Sequence, residues 1–196
     1  MRKKKEFPIL ENIAISAVAA EGKALAKVDE KVVFVPFVVP GDVVDLKIRK
    51  KKHNYMEAVA VNFHQLSSLR QTPVCQHFGV CGGCKWQCLK YEEQIKAKQQ
   101  QVVDALERIG KINVEVLETI GMIDPLHYRN KMQFPIARSK NKISIGCYAK
   151  SSHKVIDTDS CLIQKSANDE ILQAVRRVVE KFNVSIYDED EHHGVL

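Results

Sequence analysis

The sequence predicts an α+β protein: a small N-terminal β-barrel of about five strands, then an α/β central domain with a cysteine-cluster loop. Three observations predict it. Short apolar alternations separated by turn residues fill positions 9–62. Two helix-period stripes follow, near 89–109 and 168–182. Four of the six cysteines fall between Cys75 and Cys88.

In the barrel segment, apolar residues alternate in Ile13-Ala14-Ile15, Val33-Phe34-Val35, Val44-Asp45-Leu46-Lys47-Ile48 and Ala58-Val59-Ala60-Val61. A period of two marks a half-buried strand, because successive side chains point to opposite faces. Glu21-Gly22, Asp29-Glu30, Pro40-Gly41 and His53-Asn54 punctuate the alternations. Pro40-Gly41 fits a type II turn, since proline fixes φ at the first central position and glycine accepts positive φ at the second. Four or five strands at about ten-residue spacing point to a small closed barrel over 1–62.

The first helix, about 89–109, carries Ile95, Val102, Val103, Leu106 and Ile109 on one stripe, with Gly110 as its stop. Each large aliphatic left exposed forgoes ~1.5–3 kcal/mol, so this stripe needs a partner. A second copy of the chain, giving a homodimer, or the central domain would serve. The second helix, about 168–182, places Ile171, Leu172, Val175, Val178, Val179 and Phe182 on one face. Strands are expected at Asn130–Ala137, Ile143–Ala149 and Val155–Asp157, with a turn at Ser139–Lys142 between the first two.

Composition removes several classes. With 45% hydrophobic and 28% charged residues the chain is not a disordered polymer. No apolar run approaches the ~18 residues of a membrane span. The basic start, Met1 to Lys5, lacks the apolar region of a secretory signal, so a cytoplasmic location and no membrane partner are expected. No G-x-G occurs among the nine glycines, which argues against a dinucleotide loop. The final His-His-Gly-Val-Leu reads as the cut end of something longer.

Charge is uneven. Residues 1–61 carry twelve cations against eight anions, and 122–154 carry seven against one. Lys47, Arg49, Lys50, Lys51 and Lys52 lie beside one barrel edge; Arg129 and Lys131 open the second basic segment. Tyr55, Tyr128 and Phe134 are interleaved with them. Two basic segments with aromatics suggest a polyanionic partner, with phosphate contacts and base stacking. The Lys3–Lys5 run alone reads as a solvated face.

The cysteines are spaced Cys75-x5-Cys81-x2-Cys84, with Cys161 far downstream as a possible fourth ligand. Structural zinc usually takes two C-x2-4-C knuckles, and only one such pair is present. Three clustered thiolates and a remote one are closer to iron–sulfur ligation. Gly82 and Gly83, without Cβ, let backbone N–H groups approach a cluster, and Phe78 and Trp86 are candidates to shield it. A four-iron cluster, zinc and a metal-free buried cysteine group all remain open on spacing. Cys88 and Cys147 are left over, and the alternation around Cys147 makes it a small core residue.

The stretch Cys75–Gln94, with Phe78-Gly79-Val80-Cys81-Gly82-Gly83-Cys84 and the trailing Trp86, Tyr91 and Gln94, resembles the RNA uracil-5-methyltransferase family. So do Tyr128-Arg129-Asn130-Lys131, Ser152-His153 and the segment from Asp157 to Cys161-Leu162-Ile163. The segment 9–62, with its Val39-Pro40-Gly41-Asp42 turn, is similar to the OB-like TRAM domain of these enzymes. The resemblance implies a [4Fe-4S] cluster on Cys75, Cys81, Cys84 and Cys161. It implies structured RNA (ribosomal or transfer) as substrate and S-adenosylmethionine as methyl donor. In such enzymes a cysteine thiolate adds to C6 of uracil, because C5 is otherwise a poor nucleophile. The sequence stops before the domain that supplies donor site, nucleophile and base, so no catalytic or S-adenosylmethionine-binding residue is assigned in it. The resemblance divides the chain into a barrel at 1–62, a central iron–sulfur domain at 63–88 and 122–196, and a helical segment at 89–121 that packs on a methyltransferase domain. A stand-alone RNA-binding module with a structural metal and a ferredoxin-like electron carrier are the competing readings. The basic segments weigh against the carrier.

Overall fold

A computed structural model describes residues 7–139, 142–188 and 191–195. The Lys3–Lys5 run and the centre of the 139–142 turn lie outside the described residues. The chain divides into two units: Met1–Val74 with Lys85–Gly121, and Cys75–Cys84 with Met122–Leu196.

The first unit is built on six strands, β1 (Ile9–Ala14), β2 (Ala17–Val18), β3 (Lys23–Val28), β4 (Lys31–Pro36), β5 (Val43–Lys51) and β6 (Tyr55–Gln65). Their order in the sheet is β1-β5-β6-β4-β3-β2, antiparallel throughout except for the parallel pair β4 and β6. Every second residue turns inward, so Ala24, Ala26, Val33, Val35, Val44, Leu46, Ile48, Met56 and Ala58 form one core. The expectation of a closed five-stranded barrel is corrected: among the described residues no ladder joins β1 to β2, and the sheet curls without closing. The reason is local. β1 is irregular between Leu10 and Ile13, with Asn12 at φ 54°. Past its end, single hydrogen bonds from Ile15 N to Asp42 O (2.9 Å) and Ser16 N to Leu25 O (2.9 Å) replace a ladder.

Pro40-Gly41 forms the expected turn, with Asp42 N bonded to Val39 O at 3.1 Å and Gly41 at φ 88°. Behind it, the fully buried Asp42 carboxylate gathers three donors. Val39 N (2.8 Å) and the Arg70 guanidinium (2.8 Å) bond Oδ2, and Ser67 N (3.0 Å) bonds Oδ1. This ties the turn to the chain that leaves β6, and Arg70 lies 5.1 Å from the Phe63 ring centroid.

Helix α1 (Tyr91–Asp104) belongs to the same unit and runs on through a wider turn, Ala105–Ile109, where Gly110 N reaches Ala105 O. Gln101 Nε2 donates to Ala19 O (3.4 Å), and Gln99 bonds both Val116 O (3.4 Å) and Thr119 N (3.3 Å). A Cβ at Gly121 would overlap Ile95, so the 111–121 segment folds back onto the helix. Ile95, Val103 and Leu106 are thereby half-buried inside their own unit, while Val102 and Ile109 stay exposed. The division drawn from sequence shifts accordingly: 63–74 and 85–121 group with the barrel, and only Cys75–Cys84 joins the second unit.

The second unit is an antiparallel meander of β7 (Ile136–Ser139), β8 (Lys142–Tyr148) and β9 (Val155–Asp157), with α2 (Ser166–Lys181) packed on it. Leu172 and Val179 meet Ile143 and Ile145, with Phe134 at the margin of this core. Phe134 is therefore a packing residue, not an exposed stacking ring. Asp157 joins helix to sheet, accepting from Ile145 N (3.1 Å) and Arg176 Nη2 (2.9 Å) and facing Lys142 Nζ at 3.2 Å. Burial raises its pKa, but these donors outweigh burial and hold the carboxyl below its ordinary 3.8.

Two predictions follow from these carboxylates. Asp42→Ala strands the Arg70 cation and two backbone donors, and should destabilise the first unit by about 3–5 kcal/mol in denaturant unfolding. A loss within experimental error of zero would remove the carboxylate from its anchoring role. Because the folded-state pKa of Asp157 is depressed, its stabilisation is present above pH 3.8 and is lost as pH falls through the lower folded value. Asp157→Asn should thus lower stability at neutral pH and flatten the acid limb of the pH–stability curve below about pH 4.

Candidate functional site

The cysteine site lies in the second unit, where the 75–84 segment is laid across the end of β8. Gly82 N donates to Tyr148 O (2.9 Å) and Lys150 N to Val80 O (3.1 Å), which makes Cys81 and Ala149 an antiparallel bridge pair. The segment can come this close because Gly82 has no side chain. A Cβ there would sit 3.1 Å from Tyr148 O. A tight turn precedes it, with Phe78 N on Cys75 O (3.1 Å), Cys81 N on His77 O (2.9 Å) and Gly79 at φ 89°.

From the other side, Cys161 is held by α2. Its N–H donates to Asp169 Oδ1 (3.0 Å) in the helix's first turn. Asp169 also accepts from the Gln164 amide, whose residue is fully buried. Cys75, Cys81, Cys84 and Cys161 are all half-buried and none is in a disulfide. Burial pushes the Cys161 thiol up; the Ile163 N–H opposes this, and Cys75, Cys81 and Asp169 add to it. Two of the expected ligands thus influence Cys161 directly.

Cys147 is the residue that the sequence reading misplaced. It is no isolated core filler. Its thiol is hydrogen-bonded to Cys81 and within electrostatic range of Cys161. Burial, then these two thiols, push it up to about 12, with the nearby Arg129 working in the opposite direction. One strand register explains it: residues 147 and 149 share a face of the strand, and 149 opposes Cys81. Cys88, the other leftover, is buried in the first unit, where Gln71 N bonds its carbonyl. Trp86 is there too, its indole nitrogen 3.0 Å from where a Gly22 Cβ would lie.

Among the described residues, no group of three or more His, Cys, Asp or Glu side chains is arranged to enclose a single metal ion. Two concavities lie in the second unit. One, of about 560 Å³, is lined by Gly82, Gly83 and the run from Cys147 to His153. The other, of about 340 Å³, is apolar and lies between α2 and the sheet.

The basic residues separate by environment. On β5, Leu46 and Ile48 point inward while Lys47, Arg49 and Lys51 point to solvent. Lys50 is paired with Glu57 at 3.7 Å, next to an irregularity in the β5–β6 register, and Lys52 lies in the turn to β6. In the second unit Arg129 is bridged to Gln164 by its backbone, and both it and Lys131 are exposed. Tyr55 packs edge-on against Phe34, 5.9 Å between centroids, whereas Tyr128 is exposed. No described helix is long and apolar enough to cross a membrane.

Comparison with known proteins places these features. Residues 11–61 match the TRAM domain model. A protein of Clostridium tetani named as an uncharacterized RNA methyltransferase is 41% identical over 98% of this chain, and one of the same name from Bacteroides thetaiotaomicron is 43% identical over 91%. The chain spans 43% of the length of each. The crystal structure of the Pyrococcus abyssi tRNA (uracil-54, C5)-methyltransferase in complex with S-adenosyl-L-homocysteine shares the fold, with a TM-score of 0.62 and 22% identity. That match covers 93% of this chain and 40% of the other. The chain thus carries a TRAM domain and is similar, along most of its length, to part of proteins named as RNA methyltransferases. The likeness to the tRNA (uracil-54, C5)-methyltransferase is one of fold.

The close approach at Gly82 gives a direct test. Gly82→Ala should loosen the 75–84 segment from β8, seen as faster amide exchange at Gly82 and Lys150. Unchanged exchange at both would show that the segment is held by something else.

Proposed function

We propose that this chain is the RNA-recognition and iron–sulfur portion of an S-adenosylmethionine-dependent RNA uracil-5-methyltransferase. The observation that carries the reading is the similarity, at 41–43% identity along 91–98% of the chain, to proteins named as RNA methyltransferases that are more than twice as long. The chemistry of methyl transfer is assigned to the remainder of such a protein, and this portion alone is proposed to be inactive. The donor binds elsewhere in the whole enzyme and supplies the methyl group. The residues described here hold RNA in place.

The first unit is proposed to contact phosphates through Lys47, Arg49 and Lys51, with Lys50 and Lys52 beside them. All five are exposed; an irregularity after Ile48 sets Lys47 opposite Val59, Lys50 opposite Glu57 and Lys51 opposite Met56, so they form a cationic stretch at the end of the strand, not one alternating row. In the second unit Arg129 and Lys131 take the same role. Self-association through the residues of α1 that remain exposed is the corresponding proposal for a homodimer.

Cys75, Cys81, Cys84 and Cys161 are proposed to bind a [4Fe-4S] cluster. An all-thiolate donor set suits a soft metal site. A cubane puts each cysteine on a different iron, so its ligands stand further apart than those around one ion. Gly82 and Gly83 leave the approach open, and the cluster would pin the 75–84 segment to Cys161.

Two measurements test the reading. Changing Lys47, Arg49 and Lys51 together to Gln should weaken binding to a structured RNA and reduce the slope of log affinity against log salt by roughly 2–3, since each phosphate contact contributes about 0.7–0.9. An unchanged slope removes β5 from the RNA surface. Anaerobically purified protein should contain about four iron atoms per chain, as the cubane formula requires, and Cys161→Ser should lose them. About one zinc and no iron would replace the cluster with a zinc site.

A further inference from the structure

The concavity beside the cysteine site has features that a cluster ligand set does not require. Tyr148 and His153 stack on one another across the hairpin end, with ring centroids 5.4 Å apart and planes 27° from parallel. Even so, Tyr148 is 41% exposed. A large aromatic ring held in place and left open is a ready surface for a second planar group.

The rest of the depression is built to match. Its other wall is the Gly82-Gly83 pair, which offers backbone and no side chains. A Cβ at Gly83 would meet only Cys81 Sγ, at 3.5 Å, so the space above it is open. The turn is internally fixed: Ala149 N bonds Lys154 O (2.7 Å), Ser152 N bonds Ala149 O (3.1 Å), and Lys154 N bonds Ser152 Oγ (3.2 Å). Ser151 sits at its tip with φ 56°. Lys150 lines the depression, and Arg129 acts on the Cys147 thiol. The volume of about 560 Å³ exceeds what a single planar ring fills, and leaves room for its sugar and phosphate.

We infer that this depression is a subsite for one unpaired nucleobase of RNA, stacked on the exposed ring of Tyr148, with its phosphate facing Lys150. The inference rests on the proposed RNA-binding function and adds where a base is gripped. Flat rings bounded by cations take bases through their π-faces without reading a sequence, so the subsite tolerates any base. A rigid turn makes this stacking cheap, because little side-chain freedom remains to be lost.

The test uses fluorescein-labelled oligouridylate of about ten nucleotides and its abasic counterpart, titrated against the whole chain. Tyr148→Ala should weaken oligouridylate binding about tenfold, within the range for loss of one base–aromatic stack, and Tyr148→Phe should bind within about twofold of wild type. On the abasic oligomer, wild type and Tyr148→Ala should be equal. Equal binding of oligouridylate by wild type and Tyr148→Ala overturns the subsite. If the β5 triple variant still weakens binding in that case, RNA recognition by the chain stands without it. Failure of wild type to bind either oligomer overturns the subsite, and failure to bind structured RNA as well overturns both. Should Tyr148→Ala unfold, 4-thiouridine placed in the oligomer decides the matter on the wild-type protein. Photo-crosslinks to the tryptic peptide Ile143–Lys150 support the subsite, and crosslinks confined to other peptides overturn it.

Discussion

Two backbone hydrogen bonds, Gly82 N to Tyr148 O and Lys150 N to Val80 O, hold the functional region together. They pin a ten-residue segment, Cys75–Cys84, onto a hairpin more than sixty positions further along the chain. Without them the cysteines have no common location, and the wall of the neighbouring depression is missing. Closing so long a loop by a cross-link is worth of the order of 4 kcal/mol in a chain-entropy account. Two hydrogen bonds contribute about 1–3 kcal/mol net. The proposed cluster on Cys75, Cys81, Cys84 and Cys161 would be a further cross-link over the same loop.

The same logic runs through the first unit. The Pro40-Gly41 turn has its geometry from two residues, but its place in the fold comes from the buried Asp42 beneath it. Asp42 joins that turn to Ser67 and Arg70, beyond the end of β6. Lys47 is turned outward by strand alternation, with β5 set between β1 and β6, and an irregularity after Ile48 leaves Arg49, Lys50 and Lys51 exposed at the strand's end. Positioning of charge is thus a by-product of core packing. Lys47 faces solvent because Leu46 and Ile48 do not.

Legibility in the sequence tracked how local each signal was. β4, β5, β6 and both helices carry strong periodic patterns and lie close to where those patterns put them. β3 was harder to read, because Lys23-Ala-Leu-Ala-Lys alternates small residues whose contrast is weak, although Ala24 and Ala26 prove fully inward. The open edge between β1 and β2 has no local signal at all. At the site, the cysteine spacing singled out four residues, but it could not reveal Cys147. That thiol reaches Cys81 only through a cross-strand register, a relation between distant segments. Tyr148 escaped notice for the same reason: within an apolar strand nothing marks a ring as exposed. Phe134 was misread in the opposite direction, since its basic neighbours concealed its place against the α2 core.

The central claim is that this chain recognises RNA for an enzyme that methylates uridine at C5. The most direct test is nucleoside mass spectrometry of ribosomal and transfer RNA from cells in which the gene has been deleted. The account predicts the loss of 5-methyluridine at a defined position, restored by the intact gene and not by one lacking the coding region for this chain. Unaltered 5-methyluridine in both RNA classes would contradict it.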